Sequence, residues 1–183
     1  MNRWLRLGVF VAAILSVSGA LALANGDKDG SLACRDNWYS DRLVGQCEIR
    51  EQKLPAGGVL TVDARRNGGV AIKGWDQNEV LVRARVQAAA ATQAEADQLA
   101  KQIKIETSGG KIFAVGPESG KDSQWNVSYE IFAPRRTDLS LEAYNGGIYI
   151  ADITGRIEFN GHNGGVVLRR VGGTVAVVQR MAA

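Results

Sequence analysis

The chain is poor in the side chains that build metal and acid–base sites: it has one histidine and two cysteines among 183 residues. A tetrahedral zinc site needs four ligands, and His162 cannot complete a set with the two thiolates, which also lack Cys-x-x-Cys spacing. No nucleophile elbow, phosphate-binding loop or zinc signature is present. We therefore expect no catalytic residue, no metal site and no cofactor. His162 lies in a Gly-His-Asn-Gly turn, a place typical of solvated histidines.

The chain also lacks a clustered excess of positive charge. It holds 22 basic and 19 acidic residues, and residues 1–24 contain two of the arginines and no acid. The remainder therefore has 22 − 2 = 20 basic against 19 acidic residues, a net charge of +1. Nucleic-acid backbones demand a basic face, so we expect no nucleic-acid partner.

The first 24 residues have the pattern of a secretory signal peptide. Arg3 and Arg6 precede an apolar run from Val9 to Ala24 that ends in Ala-Leu-Ala, and the next six residues turn polar. The alternative is an uncleaved membrane anchor, but the run falls short of the ~20 apolar residues that a span needs. The interpretation divides the chain into a signal peptide (1–24), a disulfide-closed segment (25–47) and a β-repeat domain (48–183). It predicts a periplasmic or secreted, cell-surface location.

An exported chain with an even number of cysteines most simply forms a disulfide. Cys34 and Cys47 lie in a polar, loop-like segment, and we predict that they are joined. The alternative is a redox or metal pair, against which the 13-residue spacing argues.

The strongest feature is a repeat. Residues 145–159 align without a gap on residues 163–177, with Asn-Gly-Gly at the start of both and matching apolar positions throughout. A fixed period of 18 residues is typical of a solenoid, in which each coil buries its apolar side chains by stacking on the next. Moving back 18 residues from Ile157 and Phe159 gives Leu139 and Leu141, which look like part of an earlier coil.

The rest of the chain has strands and one helix. Alternating apolar residues with Gly and Asn between them predict strands in segments 59–64, 70–73, 80–86, 104–107, 111–115 and 125–132. Thr92-Gln-Ala-Glu95 is a capping box that predicts a short helix over residues 92–102, with Leu99 on its apolar face. The predicted class is all-β: a β-solenoid-like repeat of short strands with one short α-helix.

We interpret the Asn-Gly-Gly segments as structural turns. Asn and Gly adopt positive φ at low cost, as tight corners between strands require. The residues assigned to these turns are Asn67, Gly68, Gly69, Asn145, Gly146, Gly147, Asn163, Gly164 and Gly165.

The next turn in this series is not found. One period after Asn163 the sequence has Met181, and the chain stops shortly afterwards. Either the gene product is truncated within the repeat or another chain covers the open edge. We expect truncation, with an open edge prone to self-association.

The order of these features resembles that of the bacterial putative-adhesin domain family, which consists of exported proteins of short β repeats and unknown function. The resemblance covers residues 45–179 and rests on Cys47-Glu-Ile-Arg50, on the segment Leu54 to Ala64 and on the order of the Asn-Gly-Gly repeats. It implies an extracytoplasmic β-solenoid-like protein, in which further coils follow.

The sequence favours a non-enzymatic interaction, scaffold or adhesin-like module of the cell envelope, binding an envelope protein or a surface glycan. The alternative is a carbohydrate-binding module or a polysaccharide-active enzyme. Solenoid enzymes carry outward carboxylates, and aromatic side chains can stack on sugars, although packing is their commoner role. The candidates for that alternative are Asp138, Glu142, Asp152, Glu158, Trp38, Tyr39, Trp75, Trp125, Tyr144 and Tyr149.

Overall fold

The computed structural model describes residues 32–34, 39, 42–64 and 67–177. The predicted signal peptide, Trp38 and Met181 lie outside these residues. The strands of the described ranges are β1 (Val44–Pro55), β2 (Val59–Asp63), β3 (Val70–Trp75), β4 (Glu79–Ala90), β5 (Lys104–Ser108), β6 (Lys111–Val115), β7 (Ser123–Pro134), β8 (Asp138–Ala143), β9 (Ile148–Ala151), β10 (Thr154–Gly161), β11 (Val166–Arg169) and β12 (Gly172–Val177). The helix α1 spans Gln93–Gln102.

The strands form two six-stranded sheets. Sheet A has the order β1-β4-β7-β3-β9-β11, and sheet B has the order β12-β10-β8-β2-β6-β5. The apolar residues that alternate along the strands pack into one core cluster with residues of α1. The all-β class with one helix is confirmed.

The strands from β8 to β12 pair in parallel, and their pairing follows the 18-residue repeat. Ile148 pairs with Val166 across β9 and β11, and Ile157 pairs with Val175 across β10 and β12. Ile157 also pairs with Leu139 of β8. Residues 18 apart are thus neighbours on adjacent parallel strands, which confirms the register predicted from the repeat.

The other part of sheet A is antiparallel. β1 pairs with β4 along twelve residues each, and β4 pairs with β7. β5 and β6 of sheet B are antiparallel as well. Both sheets are therefore mixed, and the 18-residue period does not describe this half of the fold.

The sequence pattern did not predict β1. None of its twelve residues is buried, so the strand lacks the alternation of apolar and polar residues by which a strand is recognised. It forms the edge of sheet A, and β4 is the one strand of the sheet with which it pairs among the described residues.

The helix agrees closely with its prediction. Thr92 is the N-cap, its hydroxyl accepts from the Glu95 amide, and the Glu95 carboxylate accepts from the Thr92 amide. Ala96, Leu99 and Ala100 are buried. At the other end, Arg50 of β1 donates from Nη2 to the carbonyl of Ala100 at 2.8 Å. The helix thereby packs on β1, β4 and β7 at one end of the two sheets.

Candidate functional site

The three Asn-Gly-Gly segments stack directly on one another. Nδ2 of Asn145 donates to Oδ1 of Asn67 at 2.9 Å, and Nδ2 of Asn163 donates to Oδ1 of Asn145 at 2.9 Å. The side-chain amide of each asparagine therefore donates a hydrogen bond to the side-chain oxygen of the asparagine in the preceding segment. Oδ1 of Asn163 is the acceptor at the end of this ladder.

The middle glycines of these segments are needed for close approach. A Cβ on Gly146 would lie 2.0 Å from the carbonyl oxygen of Gly68, and one on Gly164 would lie 2.1 Å from that of Gly146. The expectation of positive φ at these segments was wrong. Positive φ occurs at other glycines and at Asp152 (60°) and Arg170 (49°), which form the opposite corner of the repeat.

That opposite corner carries an ion-pair network. Nε and Nη2 of Arg170 donate to the two carboxylate oxygens of Asp152 at 2.6 and 2.7 Å. Arg135 lies on the other side, with Nε 2.7 Å from Asp76 and Nη1 3.8 Å from Asp152. The hydrogen bond from Arg170 lowers the pKa of Asp152, and that from Arg135 lowers the pKa of Asp76. The predicted facing of Asp152 and Arg170 is confirmed.

Within the residues that the structure describes, no strand covers the inner, core-facing side of β11 and β12. Ile148, Ile150 and Ile157 are at most 1% exposed and Phe159 is 6% exposed, because the next strand covers them. Their counterparts one period later are exposed: Val166 (38%), Leu168 (41%), Val175 (42%) and Val177 (65%). We call the surface formed by these four side chains the open end.

The backbone edges at the open end point outward too. The amide of Val70 donates to Gly147 O, and the amide of Ile148 donates to Gly165 O, both at 2.9 Å. Val166 is aligned with Ile148 and Val70, so its amide points to the position one strand beyond β11. Among the described strands, none pairs with that side of β11 or β12.

At the opposite end, the edge of sheet A is protected, and β5 is the edge strand of sheet B. The helix α1 covers the core there, and the edge strand β1 carries Glu48, Arg50, Glu51 and Lys53 along its length. Charged residues on an edge strand oppose pairing with another chain. The two ends of the fold therefore differ in chemical character.

The structure sets Asp152 apart from the other three candidate carboxylates, which belong to sheet B. Asp138 accepts from the Arg156 amide, Glu158 accepts from the Arg156 side chain, and Asp152 lies at the corner with Arg170. Glu142 lies on the outer face of sheet B, in register with Asp63 of β2. Asp63, Glu142 and the neighbouring Thr61, Ser140 and Glu158 line a shallow depression of about 220 Å³.

The aromatic candidates do not form one platform. The Tyr144 ring stacks on His162 with 4.3 Å between centroids, whereas Trp75 packs on Phe132. Trp125 packs against the core and donates to the carbonyl of Pro117. The stacked pair was not foreseen, although the 18-residue spacing of positions 144 and 162 is the signal that predicts it.

Sequence reasoning also missed a buried carboxylate. Glu130 of β7 is 2% exposed and lies between Lys73, 2.8 Å away, and Arg83, which also binds Glu51. A glutamate among apolar residues in a strand is its only sequence signal. The group neutralises charge across three strands of sheet A, as a buried charge requires.

The described structure contains the disulfide between Cys34 and Cys47, with 5.8 Å between the Cα atoms. Cys47 lies within β1, so the bond fastens the segment before the first strand onto sheet A. The guanidinium of Arg85 holds the same segment by donating to the carbonyl of Ala33 at 2.9 Å.

Over the residues that the structure describes, no group of three or more His, Cys, Asp and Glu side chains could hold a metal ion. In the same residues no helix is long and apolar enough to cross a membrane.

The sequence matches no protein-family profile and no curated protein. Among solved structures, it is similar to a putative cell adhesion protein from Clostridium sporogenes ATCC 15579, at 15% identity and a TM-score of 0.35, over 72% of this chain and 73% of that one. It is also similar to putative adhesins from Parabacteroides distasonis ATCC 8503 and Bacteroides fragilis NCTC 9343, at 9% and 8% identity and TM-scores of 0.27. Those two matches each cover 72% of this chain and 97% of the other. The neighbours are named as adhesins, and TM-scores this low carry no argument about function.

Proposed function

We propose that this chain is an exported, non-enzymatic interaction module, adhesin-like in the broad sense, that binds a polypeptide partner by β-addition at its open end. The observation that carries the proposal is the exposure of Val166, Leu168, Val175 and Val177, whose counterparts one period earlier are buried. We further propose that residues 144–177 form solenoid-like coils with the Asn-Gly-Gly segments as their turns.

A polypeptide fits this surface better than a sugar does. The open end offers aliphatic side chains and strand edges with outward-directed backbone groups, and an added strand satisfies both at once. A sugar would leave the aliphatic side chains without an apolar partner while its hydroxyls lost water.

The disulfide supports an oxidising compartment. Disulfides persist in exported proteins and are rare in the cytosol. Together with the predicted signal peptide, the Cys34–Cys47 bond supports a periplasmic or cell-surface location.

The test compares two aspartate substitutions on the same strand. Leu168→Asp places a charge on the inner face of β11, whereas Val167→Asp places one on the outer face, and both side chains are exposed. The wild-type chain and both variants are each prepared in a photo-crosslinkable form. Each is incubated with a bacterial envelope extract and, separately, with a glycan array. We expect one protein to be crosslinked by the wild type and by Val167→Asp but not by Leu168→Asp. Protein capture that Leu168→Asp leaves intact, or binding to glycans alone, contradicts the proposal.

One observation favours the carbohydrate-binding alternative. Asp63 and Glu142 are neighbours on the outer face of sheet B, beside the hydroxyls of Thr61 and Ser140. Rows of carboxylates and hydroxyls on adjacent strands can accept hydrogen bonds from sugar hydroxyls, and the protein hydroxyls can also donate to them. Glycan binding that Glu142→Gln abolishes and Leu168→Asp leaves unchanged would select this alternative.

A further inference from the structure

We infer that the partner at the open end adds a parallel strand–turn–strand unit in register with residues 163–177, with a side-chain N–H over Asn163 and a carboxylate beyond Arg170. The inference rests on the proposed function and names the chemistry of its partner. It is drawn from two contacts that occur twice in the stacked turns and strands, the asparagine ladder and a backbone hydrogen bond, and from one ion pair at the opposite corner.

The first contact is the asparagine ladder. Asn145 donates to Asn67 and Asn163 donates to Asn145, so the next level must donate to Oδ1 of Asn163. Position 181, one period after Asn163, is methionine, whose side chain has no N–H group. The residue that the period aligns with Asn163 therefore does not continue the ladder, and the inferred partner supplies the donor.

The second contact is the backbone. Val70 and Ile148 each donate to the glycine carbonyl of the next level, which sets a parallel direction. Val166 presents its amide in the same way. A strand that runs parallel to β11 and begins with a turn glycine places a carbonyl there. An antiparallel strand places its backbone groups in a different pattern.

The third contact is electrostatic. Asp152 lies between Arg135 and Arg170, at 3.8 and 2.6 Å. Arg170 pairs with Asp152 and directly follows β11, the edge strand of sheet A at the open end. Its side chain is 65% exposed, so it can attract a further anion, and the complementary residue of the partner is Asp or Glu.

These requirements describe a segment like the protein's own residues 144–161. That segment carries Asn145 for the ladder, Asp152 for the corner, and Ile148, Ile150 and Ile157 for the apolar surface. A second full copy of the chain cannot supply it in this orientation, because within the chain this unit is already covered by β11 and β12.

The test uses a synthetic peptide of residues 144–161 as the probe and the purified, 15N-labelled chain as the target. We expect millimolar peptide to shift the amide signals of β11 and β12, and to slow the hydrogen exchange of Val166. Peptides with Asn145→Leu or Asp152→Asn should bind about fivefold more weakly each, which corresponds to one hydrogen bond of about 1 kcal/mol. Because these changes are in the peptide, they cannot unfold the chain.

Orientation is tested with a nitroxide on the peptide. A label on a Thr154→Cys peptide should broaden the signal of Gly172, and a label on a Tyr144→Cys peptide should broaden that of His162. The reverse pattern, equal binding of the three peptides, or no shift at millimolar concentration would overturn the inference.

The two proposals fail in different ways. Peptide binding that depends on Leu168 but not on orientation, Asn145 or Asp152 refutes this inference and leaves the proposed function standing. Envelope-protein capture that persists in Leu168→Asp refutes the proposed function itself, and the present inference with it.

Discussion

Glycines of the same turns differ sharply in what surrounds them. A Cβ on Gly146 would meet the Gly68 carbonyl oxygen at 2.0 Å, whereas a Cβ on Gly165 would meet nothing within 4 Å. Gly146 is the middle residue of its Asn-Gly-Gly segment and Gly165 is the last residue of the next one, and the residue type alone does not show which position is crowded. The difference comes from the stacking of one turn on the next.

Gly146→Ala should therefore destabilise the chain by about 2 kcal/mol, the usual range for an added methyl group that forces backbone to move. Gly165→Ala should change the free energy of unfolding by less than about 0.5 kcal/mol. Urea denaturation of the two variants, followed by circular dichroism, measures both. A similar loss in the two variants would mean that backbone conformation, not close approach, selects these glycines.

The pKa of Asp152 tests the corner contact. Because the hydrogen bond from Arg170 lowers it, Arg170→Gln should raise the pKa towards that of an ordinary aspartate. The pair stabilises the fold above the ordinary carboxyl pKa, and this contribution is lost as pH falls through the lowered pKa. A 13C NMR titration of the side-chain carboxyl measures the shift. Arg156→Gln, which removes a partner of Glu158 instead, is the control and should leave the pKa of Asp152 unchanged.

Among the helices and strands, those that depend on contacts between residues close in sequence were predicted best. The capping box and the apolar face of α1 are both encoded within eleven residues, and the helix forms where they place it. The register of β9 to β12 was also predictable, because the 18-residue repeat aligns β9 with β11 and β10 with β12. β1 and the antiparallel half of sheet A depend on pairing between distant segments, which leaves no periodic signal in an exposed strand.

Thr92→Ala removes the hydroxyl that accepts from Glu95, and should cost about 1 kcal/mol of stability. Thr92→Ser keeps the acceptor and should restore most of the loss. Thermal or urea unfolding of the three chains compares them. Equal stability of the alanine and serine variants would show that tertiary packing alone fixes the start of α1.

The last pair of strands should be the least protected element. β11 and β12 pair on one side only within the described chain, so we expect the amides of Val175 and Val177 to exchange faster than those of Ile157 and Phe159. Hydrogen exchange followed by NMR measures this directly. Adding one designed unit with a polar outer face should slow the exchange. Strong protection of Val175 in the unmodified, monomeric chain would show that the open end is covered.

For the whole molecule, the disulfide connects the segment before β1 to the sheet. Replacing Cys34 and Cys47 by serine should lower the free energy of unfolding by about 3 kcal/mol, since the unfolded chain regains the freedom of the closed loop. Denaturation with and without reductant measures the loss, and a non-reducing peptide map verifies the bond. Two free thiols in oxidised material would contradict the pairing.

With α1 over the core and charged residues along β1, the opposite edge of sheet A resists strand addition, which leaves β11 as the pairing edge of that sheet. A fibre requires two complementary surfaces on each subunit, so that every addition exposes a new site. Here any second copy that met the open end would bring its own β1 edge to the outside. Growth would stop at a pair, and sedimentation at rising concentration should reach a dimer and no larger species. The helix that completes the core thus also limits how far pairing between copies can extend sheet A.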